Sequence, residues 1–299
     1  MKKIVLLLVV GLSLGISTYA QDVEPATNEA PKQKFTRATF NATKLINMQT
    51  VEMVSKGNLQ FLISHHFSNI WNKGEGRQNL GQLFGLNSGV ARTYLSFDYS
   101  PHSWVNLGLA AAGSSKYEGW AKFKILRQQT GLKNVPISLG WYSMASIYTS
   151  KKEPDEFVGN RWSYMHQLLI ARKFSDKFSL QLMPTVLHFN VVPYGANNSN
   201  QVYSMGIGGK YKATSKLNIT FEYARQLNMY ENIISKNGTI LNFEPNLYSA
   251  GIEINTGGHL FQFYVGNTTE SSNIDHLARN SSKNLALGFT INRSLSLKK

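Results

Sequence analysis

From Asn58 to near the C-terminus the chain keeps setting apolar residues against polar ones at every second position. Only a β-strand with two unlike faces can use such a period. In 202–212, Tyr203, Met205, Ile207 and Tyr211 share one face, and Ser204, Gly206, Gly208, Lys210 and Lys212 share the other. In 217–226, Leu217, Ile219, Phe221 and Tyr223 oppose Asn218, Thr220, Glu222, Ala224 and Gln226. Near the end, Leu285, Leu287, Phe289 and Ile291 oppose Ala286, Gly288, Thr290 and Asn292. Segments of this kind predict strands at 58–68, 90–100, 103–113, 117–128, 135–149, 160–174, 178–193, 201–213, 216–228, 245–256, 258–268 and 283–294. They exceed the roughly 5 to 6 residues of a typical globular strand. They also suffice for the roughly 9 to 11 residues that cross a bilayer at a tilt.

The links between these segments alternate in length. Tight ones fall at 101–102, 130–134, 175–177, 214–215 and 257, most of them rich in turn-forming residues. Long polar ones fall at 69–89, 150–159, 194–200, 229–244 and 269–282, with a short exception at 114–116. A sandwich or a soluble barrel has no reason to sort loop lengths by parity, whereas an outer-membrane barrel does. The expected fold is therefore all-β: a closed antiparallel transmembrane β-barrel of about twelve strands, with short periplasmic turns and longer extracellular loops. Phe97, Tyr99, Trp104, Phe178, Tyr211 and Phe261 lie near the short turns, where an interfacial aromatic girdle belongs. Pro184, mid-strand and without an N–H, is expected to mark a bulge.

The ends carry different signals. Lys2 and Lys3, the apolar run Ile4 to Ile16 and the sequence Thr18-Tyr19-Ala20 follow the order of a signal peptide over 1–20, cut after Ala20. Residues 21–36 read as a disordered leader. Residues 37–57 fit neither period and are expected to form a plug or a periplasmic cap. The barrel is then assigned to 58–294 and a C-terminal tail to 295–299. Outside the signal peptide no run approaches the roughly 18 apolar residues of a spanning helix. A mean hydropathy of −0.24 is what a barrel with a polar interior also gives.

The chain has no cysteine, so neither a disulfide framework nor a thiolate metal site is expected. Its formal charge of +14 could suit nucleic acid. For an exported protein the expected partners are instead outer-membrane lipid and lipopolysaccharide, small solutes or an envelope protein. No cofactor is expected.

On the polar face, Asp98, Lys122, Lys124, Lys210, Lys212, Glu222 and Glu253 are the candidate lumen-lining charges, which must be paired or hydrated. Lys210 and Glu222 sit on one hairpin at a diagonal offset and are expected to pair. These groups either line a narrow passage or fill a closed lumen. His65 and His66 point to opposite faces and cannot chelate one ion, and no other histidine pair has ligand spacing. Ser64 and His66 share a face without an evident third catalytic member. The long links hold apolar residues, among them Leu83, Phe84, Leu86, Ile233 and Ile234, that could fold inward or dock a partner. The residues alone thus leave a small-solute channel and a structural or docking component of the envelope as the main readings, with a lipase- or protease-type hydrolase as the alternative.

The stretches Ile63-Ser-His-His-Phe67, Leu83-Phe-Gly-Leu86, Lys124-Ile-Leu-Arg-Gln128, His166-Gln-Leu-Leu-Ile-Ala-Arg-Lys-Phe174, Leu180-Gln-Leu-Met-Pro-Thr185 and Asn255-Thr-Gly-Gly-His-Leu-Phe261 resemble the outer-membrane barrel family named domain of unknown function 5777. The resemblance runs over roughly 38–294, with His65-His66 standing where the family more usually has His-Arg. It implies fold and location, and brings no activity or catalytic residues.

Overall fold

A computed structural model describes residues 32–70, 91–113, 115–150, 161–191, 199–228, 233–234, 240–241, 243–280 and 282–297. The signal-peptide region, most of the leader, and Leu83, Phe84 and Leu86 lie outside the described residues.

Twelve strands form a closed antiparallel barrel: β1 (Asn58–Asn69), β2 (Arg92–His102), β3 (Val105–Ala112), β4 (Lys116–Leu126), β5 (Ser138–Tyr148), β6 (Trp162–Lys173), β7 (Phe178–Phe189), β8 (Gln201–Lys212), β9 (Leu217–Gln226), β10 (Asn246–Asn255), β11 (Leu260–Gly266) and β12 (Ala286–Ser296). Each pairs with its sequence neighbours, and β12 closes on β1 through pairs such as Phe289 with His65 and Ile291 with Ile63. Closure leaves no edge strand and satisfies the backbone within the sheet, which a bilayer demands.

Burial alternates along the strands as the sequence period requires. On β9, Asn218, Thr220, Glu222, Ala224 and Gln226 are buried inward while Ile219, Phe221 and Tyr223 are exposed outward. On this strand the polar residues face the interior and the large apolar ones the outer surface, the reverse of a soluble protein. Phe97, Tyr99, Trp104 and Tyr211 are exposed near the short-turn rim, with Trp104 stacked beside His102.

Several expectations are corrected. Pro184 makes no bulge: it keeps register opposite Met205, and toward β6 the ladder only lapses between Gln167–Thr185 and Ile170–Leu182. Register shifts occur instead near Tyr99/His102, Lys124/Leu126 and Ala286/Gly288. The last strand runs beyond 294, since Leu295 pairs with Leu59 and Ser296 with Asn58. The tail expected from 295 therefore begins as strand. The link after β4 is longer than the tight 130–134 turn, because Gln129 and Thr130 pair with Phe35 and Lys34. Those two residues of the expected leader are accordingly structured. Ile233–Ile234 pair with Ile240–Leu241 in a small ribbon within the long link before β10.

Candidate functional site

The barrel interior is occupied by the chain itself. Beyond Lys34–Phe35 at the short-turn rim, the backbone turns at Ala38, where φ is 52°, a left-handed value costly for a residue bearing a Cβ. Residues 39–51, apart from Asn41, are then buried. The segment doubles back tightly: Leu45 N–H donates to the Met48 carbonyl (2.8 Å), and Thr50 N–H to that of Thr43 (2.9 Å). It returns to the rim it came from, where Gly57 N–H donates to the Ser100 carbonyl at 2.7 Å and β1 begins. At its tip Leu45 lies against Gly208 on β8 so closely that a Cβ there would overlap the Leu45 methyl. Room for the segment is thus written into the wall as a missing side chain.

Inward-facing polar side chains hold this segment mainly by its backbone. The Glu222 carboxylate accepts the N–H groups of Ile46 (3.3 Å), Asn47 (2.9 Å) and Met48 (3.1 Å), and the Asn47 amide at 2.6 Å. The Lys122 ammonium donates to the carbonyls of Thr43 (3.1 Å), Thr50 (2.9 Å) and Glu52 (3.1 Å). Lys210 donates to the Ala38 carbonyl and Asn41 Oδ1, at 3.1 and 3.0 Å. Gln181 accepts from Val51 N–H (2.8 Å) and donates to the Gln49 carbonyl (2.7 Å). Gln262 donates to the Leu45 carbonyl at 2.6 Å. Hydrogen bonds to charged groups are the stronger kind, so this set defines one position for the segment.

Of the other candidates, Asp98 accepts from the Asn106 amide (2.7 Å) and the Trp120 indole (3.0 Å). Glu253 accepts from Asn218 (2.9 Å) and Gln262 (3.3 Å). Lys124 is half-buried near the rim and Lys212 is exposed there. The expected pairing of Lys210 with Glu222 does not form. Lys210 stands opposite Thr220 and Glu222 opposite Gly208, and each side chain is engaged by a different part of the inserted segment.

A second insertion enters from the long-loop rim. The link after β11 carries a short helix, α1 (Asn273–Ala278), with all six residues buried. Glu118 on β4 anchors it: Oε1 accepts from Ser272 Oγ (2.7 Å) and Asn273 N–H (2.9 Å), and Oε2 from the Tyr94 hydroxyl (3.3 Å). Lys116 pairs with Asp275, and Arg92 with Glu270. The His276 imidazole lies against the His66 ring, their centroids 5.3 Å apart. Ile274, Leu277 and Ala278 join Phe40, Leu45, Met48 and Val51 in one apolar cluster with inward residues such as Leu62, Met183 and Leu247.

Sequence reasoning missed Glu118, although it shares parity with Lys122 and Lys124, and it missed Lys44 and Tyr94. Lys44 belongs to an aperiodic segment whose depth no local pattern encodes. Ser64 and His66 do share the inward face, 3.4 Å apart, but His66 turns to the Tyr264 hydroxyl, and Ser64 Oγ accepts a hydrogen bond from Thr290 Oγ1 at 2.9 Å. Among the described residues no group of three His, Asp or Glu side chains is arranged to hold a metal ion.

A family model described as a membrane-bound beta barrel domain, domain of unknown function 5777, matches residues 40–295. No curated protein sequence matches the chain. Among solved structures, the COG4313 outer membrane channel from Pseudomonas putida F1 superposes with a TM-score of 0.52 at 13% identity, over 82% of this chain and 98% of that one. A KdgM porin gives 0.48 at 10% identity over 80% and 99%. A Pseudomonas aeruginosa FadL homologue gives 0.39 at 10% identity over 87% and 94%. At these identities the likeness is one of fold.

Proposed function

The chain belongs to the membrane-bound β-barrel family of domain of unknown function 5777, and on that premise we propose that it is an outer-membrane channel for small solutes, closed at rest by its own residues 39–54. The observation that carries this reading is how the lumen is filled. A barrel needed only as a scaffold can be packed by interdigitating side chains from its own wall. Here the wall instead presents Glu222, Lys122, Gln181 and Gln262 to the backbone of a separate segment. That segment is tied to the wall by hydrogen bonds that water can replace, and both of its ends lie at one rim. Withdrawal toward the short turns would free the inward polar groups of Glu222, Lys122, Gln181 and Gln262 to face the lumen beside α1. The surrounding lipid and lipopolysaccharide are the partners of the outer face.

A hydrolase is less well supported, because His66 has Tyr264 and not a carboxylate as its orienting neighbour. A structural or docking role is favoured by no particular contact among the described residues.

Planar-bilayer recording tests the reading. The wild-type chain should stay mostly closed with rare openings, and Glu222→Ala, which strips three backbone N–H groups of their acceptor, should open at least several-fold more often. Silence of both proteins across the voltage range would contradict it.

A further inference from the structure

Lys44, on the inserted segment, is 7% exposed. Among the described residues its ammonium forms no ion pair and no hydrogen bond. It lies over the Tyr94 ring, 4.4 Å from the centroid. The charges that act on it are the carboxylates of Glu118, Glu222 and Asp98. The Tyr94 hydroxyl is itself bonded to Glu118, and Glu222 holds the backbone two to four residues beyond Lys44, so an acid stands on either side of the Lys44 position. An aromatic face backed by carboxylates is suited to an alkylammonium group and repels an anion. The tip of the segment thus brings its own cation to a site whose other walls belong to the barrel and to α1, which bonds Glu118 and the Tyr94 hydroxyl.

We infer that the site formed by the Tyr94 ring with Glu118 and Glu222 recognises the primary ammonium group of a permeating solute, and that Lys44 occupies it as a tethered stand-in while the lumen is shut. The inference rests on the channel reading given above and names the solute class. When residues 39–54 withdraw, Lys44 leaves with them. Glu222 loses its N–H partners, and the Tyr94 ring loses the ammonium that lay over it. An amine entering the space that the segment vacates then restores the balance that Lys44 supplied, and return of the segment displaces it.

The test is chemical rescue in the full chain. Lys44→Ala should lower the thermal midpoint of the detergent-folded barrel. Refolding with n-butylammonium should raise that midpoint by several degrees, while n-butanol and n-butyrate at equal concentration leave it unchanged. Wild type, its site filled, should respond to none of them, and Tyr94→Leu in the Lys44→Ala background should abolish the rescue. If Lys44→Ala does not fold alone, folded yield with and without the amine is the readout, and a yield no higher with the amine than with butanol overturns the inference. Equal stabilisation of wild type and variant, or rescue by butyrate, overturns it as well. Rescue in a protein that never conducts would leave the ammonium pocket standing and remove the permeating solute. Conductance without rescue would keep the channel and remove the pocket.

Discussion

Gly108 on β3 faces inward opposite Trp120, and a Cβ at that position would overlap the indole ring. The indole cannot retreat freely, because its N–H is committed to Asp98 at 3.0 Å. Gly108→Ala should therefore destabilise the folded barrel by about 1–3 kcal/mol, the usual cost of overpacking. Urea unfolding in detergent measures it, and a midpoint equal to wild type would mean the wall yields there. Single residues also mark where reading the sequence stops. Glu222 is legible as an inward charge from period 2 alone, yet its partners are backbone groups some 175 positions away in the chain, and no local pattern names them. Charge complementarity suggested Lys210 instead. In the fold Lys210 reaches the Ala38 carbonyl, and the carboxylate takes the three N–H groups that the bend at the tip leaves unpaired.

At the level of elements, all twelve strands are visible in the sequence, because a wall with lipid on one side and polar groups on the other must alternate. Their ends are less so: β4 stops at Leu126 and β5 starts at Ser138, since the link between them pairs with Lys34 and Phe35. The helix α1 was hidden inside a long link. Six residues give too short a window for helical period, and its position is set by Glu118 on a distant strand. Asn273 is the hinge of that attachment, giving its backbone N–H to Glu118 and its amide to the Tyr94 hydroxyl at 3.0 Å. Asn273→Ala should cost about 1–3 kcal/mol through the buried acceptors it leaves. Limited proteolysis should then cut the 267–285 link faster than in wild type while the strands stay protected, and an unchanged cleavage rate would show that the apolar contacts of Ile274 and Leu277 suffice.

For the whole molecule, the sequence separates a polar inner surface from an apolar outer one but cannot say what fills the inside. The aperiodic stretch before β1 contains Phe40, Leu45, Ile46, Met48 and Val51, too apolar for a solvated cap and too irregular for a strand, and the barrel gives such a segment somewhere to be buried. On the channel reading proposed above, residues 39–54 close the lumen and must move for anything to pass. Because the chain has no cysteine, a pair introduced at Asn47 and Ser249, whose side chains lie 3.0 Å apart, can tie the segment to β10 without competing thiols. Single-channel recording of Asn47→Cys/Ser249→Cys with Glu222→Ala should give openings under reducing conditions, their loss on oxidation, and their return when reductant is added. Openings of equal frequency and size in the oxidised, cross-linked protein would contradict the account.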